Sequence, residues 1–544
     1  MRERAWRALA ALLAAAAAGE AEAVRVGPGF GLANAEKFEL VKTFNNSTLH
    51  HAVLTDATTG EPSDAYDWPI EVLYLKGSRY DIGFAYANLI GDEVKPTYDS
   101  FISSLLGGMN PLKEEAVRLL SALLDWQWES YLSKALTSEH REELQGLREG
   151  GDAVGVPELY TVVTRLITLA NLPGDPSNTY RVLVREFEEH HKGTDALMRI
   201  TGGKPVAEVL ERVLSVMQPG HQCSMIAAWG SRTKNGDVYA GRNLDWNKDT
   251  GVAKHKTLTI FAPDDGAHPH AIVGFAGLYG AIAGISAAGL TVHEANLEQS
   301  EITFDGYPWV LRLRLVMERA SDLMSARKVM DGTNNTVGFN HMVSSAADKD
   351  AASAANVFET KAMYTATFGS MDTREADAVY EYRNGTTVGI GRPMSEALWR
   401  TNHPYDPETR RTFLWSQAPT SWSMVRYNII ADQFQRYEDA GLPLTYLEML
   451  NITALAGDKG HSHPYKCDGP DGTNVISTLG VPTQGIFYVA FENGHAETYT
   501  TACCTAYVRF DVGSLWGGVP SSSRGVHEDA AAATATARRL LRAT

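Results

Sequence analysis

Cysteine is scarce: Cys223, Cys467, Cys503 and Cys504 are the only four in 544 residues. That excludes a disulfide-stapled scaffold and leaves thiols for one or two bridges and one reactive group. Positive charge is also in deficit. The chain carries 49 Lys and Arg against 65 Asp and Glu, a formal net charge of -16. A polyanion is repelled by that mean field, which argues against nucleic acid as a partner. No apolar run reaches the roughly 18 residues that a membrane-spanning helix needs. With 44% hydrophobic and 21% charged residues, what remains is an ordinary globular composition. The length suits a large core in one or a few domains.

The first residues have an address-like layout. Arg2, Arg4 and Arg7 precede an apolar run from Ala8 to Ala18, and Ala21-Glu22-Ala23 offers small residues for cleavage. This predicts a signal peptide over residues 1–23, and a secretory-pathway protein of the extracellular space or a lysosome-like compartment. N-x-[ST] triplets begin at Asn45, Asn46, Asn334, Asn384 and Asn451, candidate glycosylation acceptors on that route. Residues 529–544 are a compositionally biased tail.

Residues 24 to about 65 are polar and Gly/Asn-rich and read as a lead-in. Ile70 to Lys76 alternates as a strand, and from about 80 to 217 the periodicity is mostly helical. Val206, Val209, Leu210, Val213, Leu214 and Met217 form one apolar helix face, which Pro219-Gly220 ends. At Cys223 the pattern changes. Ser224–Trp229 and Val238–Arg242 are strand-like runs around an Asn235-Gly236 turn signal, hence a hairpin. Strand-sized pieces follow at Thr257–Phe261, Ala271–Phe275, Gly280–Ile285 and Leu290–Glu294. Two helices fit Trp309–Ala320 and Ser321–Met330, and further strands fit Ala378–Tyr382, Thr386–Ile390 and Gly485–Phe491. A helical front before a strand-rich body is an α+β arrangement.

Cys223 stands directly after the helix stop and opens the first strand of that body. The partner strand of its hairpin carries Gly241-Arg242-Asn243-Leu244-Asp245-Trp246. Arg242 and Asp245 can therefore return to the start of the first strand. A cation there favours the thiolate, and a carboxylate can orient an amine.

These two segments resemble the mature N-terminus of the cysteine N-terminal-nucleophile (Ntn) hydrolases. Within them they are most similar to the penicillin acyltransferase (isopenicillin-N acyltransferase) family. Choloylglycine hydrolase, penicillin V acylase and acid ceramidase are more distant. Other segments agree: Leu75 to Ala87 with its Gly83, Glu142 to Gly150, Gly289-Leu-Thr-Val-His-Glu-Ala-Asn296, Thr401-Asn402-His403-Pro404, and Ser421 to Tyr427 with Arg426. The long front part and the His221-Gln222 pair before the cysteine depart from the family pattern.

The resemblance implies a four-layer αββα sandwich behind a mostly helical pro-region. Its units would be a chain of residues 24–222 and a catalytic chain of residues 223–528, which stay associated after self-cleavage at 222/223. It also implies an N-terminal-cysteine amidohydrolase or acyltransferase that acts on a non-peptide N-acyl amide through a thioester. Cys223 would be nucleophile and its freed α-amine the base. Arg242 and Asp245 would position them, Asn296 and Asn402 would meet the oxyanion, and Arg426 would support the site. The chemistry is coherent without the name, since thiol and α-amine pKa values both lie near neutrality. No cofactor and no metal are expected. His461 with His463, and His268 with His270, have no further ligand at a telling spacing. The alternatives are a lipid deacylase of the phospholipase B-like or ceramidase kind, and a non-catalytic secreted binding protein that keeps the fold.

Overall fold

The computed structural model describes residues 30–105, 113–172, 222–246, 250–457, 474–495 and 498–520. The expected signal peptide, the helix face at 206–217 and the tail lie outside these residues.

The chain opens with β1 (Leu32–Phe44), β2 (Ser47–Asp56) and β3 (Glu71–Gly77), then α1 (Arg79–Leu105), α2 (Lys113–Gln127), α3 (Ser138–Ala153) and α4 (Leu159–Ala170). The expected hairpin is β4 (Gln222–Gly230) and β5 (Gly236–Asp245), and β6 (Lys256–Pro263), β7 (His270–Phe275), β8 (Ala283–Ser286) and β9 (Leu290–Asn296) follow. After α5 (Trp309–Arg319) and α6 (Leu323–Asp331) come β10 (Phe339–Ser345), β11 (Ala355–Lys361), β12 (Tyr364–Phe368), β13 (Val379–Glu381), β14 (Thr387–Gly389) and β15 (Ala397–Arg400). The last part holds α7 (Trp422–Asp439), α8 (Tyr446–Ala456), β16 (Asn474–Val481), β17 (Ile486–Phe491) and β18 (Tyr507–Asp511).

Local chemistry explains several boundaries. Asn235 and Gly236 both take positive φ, the left-handed backbone that an Asn-Gly pair tolerates, and they turn β4 back into β5. Asp322 caps α6 in a reciprocal box with Ser325, and Thr445 caps α8 in the same way with Glu448. Ser421 caps α7 by accepting from the Met424 amide.

Sixteen strands hydrogen-bond in the order β12-β11-β10-β9-β8-β7-β6-β3-β2-β1-β18-β17-β16-β5-β4-β15. The ladder folds on itself, so that β4, β5 and β16 pack against β8, β9 and β10. Outside one half lie α5 and α6, against β7 to β11; outside the other lie α7 and α8, against β4, β5, β15 and β16. The result is α+β with helix, sheet, sheet, helix layers, as the resemblance implies.

The polar lead-in is a correction. Residues 32–56 form two long strands. With β3 they fill the gap between β6 and β18 and pair in parallel at both seams, Glu71 with Thr257 and Leu32 with Tyr507. Their outer ends are exposed, which is why their sequence is polar. Asn451, an expected glycosylation acceptor, is buried in α8, where no glycan fits.

Within the helical front, α1 and α3 cross closely. A Cβ on Gly83 of α1 would strike the Glu143 carbonyl of α3, and one on Gly146 would strike the Tyr80 carbonyl. Backbone touches backbone, and only glycine permits it. Gly146→Ala is therefore expected to cost about 1–3 kcal/mol by overpacking. Gly517→Ala, where a Cβ meets nothing within 4 Å, is expected to change little. Denaturant unfolding of the two variants checks this pair.

Candidate active site

Cys223 is the second residue of β4. The antiparallel register sets it opposite Leu244 and sets Met225 opposite Arg242. Arg242 is fully buried and reaches back along the hairpin, donating from Nη2 to Cys223 Sγ at 3.0 Å. The same nitrogen donates to Glu294 Oε1 at 2.7 Å. Glu294 belongs to β9, in the facing layer, so this ion pair crosses the middle of the sandwich. Asp245 is buried at the end of β5, and its Oδ1 accepts from Asn474 Nδ2 at 2.7 Å.

A second group arrives through β15. That strand pairs with β4, Arg400 opposite Met225, so the chain leaving it carries Asn402 past the cysteine. Asn402 Oδ1 accepts from the Cys223 backbone nitrogen at 2.8 Å and from Arg426 Nη2 at 2.6 Å. Its Nδ2 donates to the Asn296 carbonyl at 2.7 Å. Arg426, from the first turns of α7, also donates to the Cys223 carbonyl oxygen and to Gln222 Oε1.

All six expected site residues thus come together. The Asn402 amide is engaged at both ends, with one of its two Nδ2 hydrogens given to the Asn296 carbonyl. Asn296 differs: its Nδ2 is buried and has no partner among the described residues. Sequence reasoning missed Glu294, although it lies inside the quoted Gly289–Asn296 segment; a carboxylate in a strand buried at every position was the available signal.

Four charges meet here without solvent. Burial works against the Arg242 charge, yet Glu294, Cys223 and Asp245 outweigh it and hold its pKa above the ordinary value. Burial pushes the Glu294 carboxyl up, and Arg242 opposes it. Burial is also the main reason that the Cys223 thiol is pushed up to about 12. Glu294 and Asp245 add to that, while Arg242 and Arg426 work against it. A thiol shifted this way is protonated at neutral pH. A cavity of about 180 Å³ opens next to it, lined by Gln222, Asn402, Trp415, Ser421, Trp422 and Arg426 among others.

Among the described residues one cluster has metal-ligand composition: Glu71, Glu93 and His255. His255 Nδ1 lies 2.8 Å from Glu93 Oε2 and 3.9 Å from Glu71 Oε1. Hydrogen bonds to these carboxylates push the imidazole up to about 9. Burial pushes the Glu71 carboxyl up to about 7, and the three side chains pair with one another. His461 and His463 lie outside the described residues, and His270 Nδ1 is 3.0 Å from the His268 carbonyl oxygen. Cys503 is buried and forms no disulfide; Cys467 lies outside the described residues.

Residues 231–459 match the family model described as acyl-coenzyme A:6-aminopenicillanic acid acyl-transferase. This is the acyltransferase family that the motifs resemble. A curated Archaeoglobus fulgidus protein, described as uncharacterized, is 24% identical over 274 residues, covering 50% of this chain and 40% of its own. The chain thus matches less than half the length of that relative. Among solved structures, the chain is similar to a Caenorhabditis elegans ortholog of N-acylethanolamine-hydrolyzing acid amidase: 12% identity, 48% of this chain, 93% of that chain, TM-score 0.31. Penicillin V acylase from Agrobacterium tumefaciens gives 11% identity, 49% and 83% coverage, and TM-score 0.31. A conjugated bile acid hydrolase from Clostridium perfringens gives 12% identity, 49% and 89% coverage, and TM-score 0.29.

Glu294 supplies the strongest Coulombic opposition to the thiolate, so removing its charge has a definite sign. In Glu294→Gln the Cys223 thiol is expected to titrate at lower pH than in the parent. Thiolate absorbance near 240 nm, corrected with Cys223→Ala protein, follows it; an unchanged or higher midpoint contradicts this electrostatic assignment.

Proposed function

We propose that this protein is a self-processed N-terminal-cysteine amidohydrolase or acyltransferase acting on small N-acyl amides. The observation that carries the reading is the hold on one backbone atom. The nitrogen of Cys223 donates to Asn402 Oδ1, while Arg242 holds the thiol of the same residue. An ordinary strand amide has no need of a dedicated buried side-chain acceptor, whereas a catalytic α-amine does.

Cleavage between Gln222 and Cys223 converts that amide into an amine. Its lone pair accepts the thiol proton, and the thiolate attacks the carbonyl carbon of a substrate amide. Negative charge gathers on the carbonyl oxygen, where the Asn296 Nδ2 donor is available to meet it. Collapse breaks the C–N bond, the leaving amine takes the proton, and the acyl group stays on sulfur as a thioester. Water or an acceptor amine then attacks the thioester, giving hydrolysis or acyl transfer. Arg242, Glu294, Asp245 and Arg426 balance the charge around the thiolate, and Asn402 aims the amine.

The two pieces stay together after the cut. Loss of residues 24–222 would expose the pairing edges of β6 and β18. The front part also shares a buried ionic network with the body: Arg79 and His140 with Glu318, and Glu143 with Arg314. The signal-like N-terminus supports a place in the secretory pathway, extracellular or lysosome-like.

Two results test the reading. Purified protein should yield an N-terminus at Cys223, and Cys223→Ala should remain one chain; cleavage at 222/223 in that variant would assign the cut to another protease. The processed enzyme is then screened on fatty-acyl, phenylacetyl and bile-acid amides, with acyl esters alongside to separate an amidase from a lipid deacylase. On whichever amide is turned over, Asn296→Ala is expected to lower kcat by about 10²–10³, the usual loss for one oxyanion donor. KM should change far less, because the contact strengthens only as charge develops. A loss confined to KM would place Asn296 in ground-state binding instead.

A further inference from the structure

Asn402 is held by its own neighbours through a chain of hydrogen bonds whose directions can be worked out. Its backbone N–H donates to Ser423 Oγ at 2.8 Å. His403 Nδ1 lies 2.8 Å from the same Oγ, and His403 Nε2 lies 2.9 Å from the Tyr405 hydroxyl. The Tyr405 hydroxyl donates to the Ile390 carbonyl at 3.1 Å. Asn402, His403 and Tyr405 are at most 1% exposed, and Ser423 is 8% exposed.

A carbonyl can only accept, and with the Tyr405 proton given to Ile390 one consistent arrangement follows. His403 Nε2 must then carry its own proton and donate it to the Tyr405 oxygen. That leaves Nδ1 bare, and a bare ring nitrogen needs a donor. The Thr401 hydroxyl is 3.2 Å away, but it donates to the Ser423 carbonyl at 2.9 Å. The Ser423 hydroxyl therefore donates to His403 Nδ1, and its remaining lone pair faces the Asn402 N–H. A neutral ring fits this: burial, then Arg400 and Arg426, hold His403 far below its ordinary pKa.

We infer that Ser423, His403 and Tyr405 form a directed positioning chain that fixes Asn402, and through its Oδ1 fixes the Cys223 nitrogen. The Thr401 hydroxyl, 2.9 Å from Ser423 Oγ, braces the same oxygen from the other side. None of the three residues touches the thiol; they act on the base of the proposed reaction through Asn402. The inference deepens the N-terminal-cysteine reading and rests on it.

The test is a double-mutant cycle on processed enzyme, with active molecules counted by the free Cys223 N-terminus. Ser423→Ala removes the acceptor of the Asn402 N–H and should lower kcat about tenfold or more, since a small misplacement of a catalytic group is costly. KM should stay within about threefold, because the substrate contacts remain. Tyr405→Phe, which keeps the ring and removes the far anchor, should lower kcat less, by about threefold or more, again with KM held. Residues acting through one chain are not additive, so the double variant should be no slower than Ser423→Ala alone. Thermal melting of each variant establishes that folding survives. Turnover of Ser423→Ala within twofold of the parent overturns the inference, and so does a double variant slowed by the product of the single effects. Failure of the underlying reading looks different: Cys223→Ala would stay active, or no N-terminus would form at residue 223.

Discussion

The site depends on a guanidinium that has no water. Arg242 is buried completely, and such a charge is tolerable only beside a carboxylate with good geometry. Glu294 supplies it from the opposite sheet, so the requirement to neutralise Arg242 also brings the two layers into register at the nucleophile. Arg426 and Asp245 add one further charge of each sign. Two cations and two anions surround one thiol, and no excess charge is left to drive it to ionise. In the proposed reaction, the freed amine is the new group that enters this balance and takes the thiol proton.

The legible part of the site was the local part. Cys223, Arg242 and Asp245 lie on one hairpin whose Asn235-Gly236 turn is written in the sequence, so their meeting followed from register. Asn296, Asn402 and Arg426 are far apart along the chain; their membership came from the family resemblance, and the structure brings them together. The hold of Asn402 on the Cys223 nitrogen was beyond either route: the partners of an amide depend on what surrounds it, and those of Asn402 are Cys223, Arg426 and Asn296.

The fold shows the same division. The α6 helix and the strands from 257 to 294 were legible because helical periodicity and alternation are short-range signals. β1 and β2 were not. Much of β1 faces water, and its place is set by pairing with β18, at the other end of the described chain. Period-two hydrophobicity detects strands that bury one face, and says little about strands held mainly by their neighbours' backbones. Glu294 escaped for the opposite reason: a charged residue in a fully buried strand looks like a break in the pattern rather than its purpose.

The position of β1 constrains the order of events during synthesis. Its parallel partner β18 is the last strand of the described chain to leave the ribosome, while β1 is the first. The front strands therefore wait, unpaired on that side, until nearly the whole polypeptide exists, and contacts so distant in sequence form slowly. A cut before closure would turn that wait into a search between two separate molecules. A cut that needs Arg242, Glu294, Asn402 and Arg426 already assembled around Cys223 cannot come that early. If the chain divides itself as proposed, the closed ladder acts as a proofreading step: only a finished fold acquires the means to make the cut.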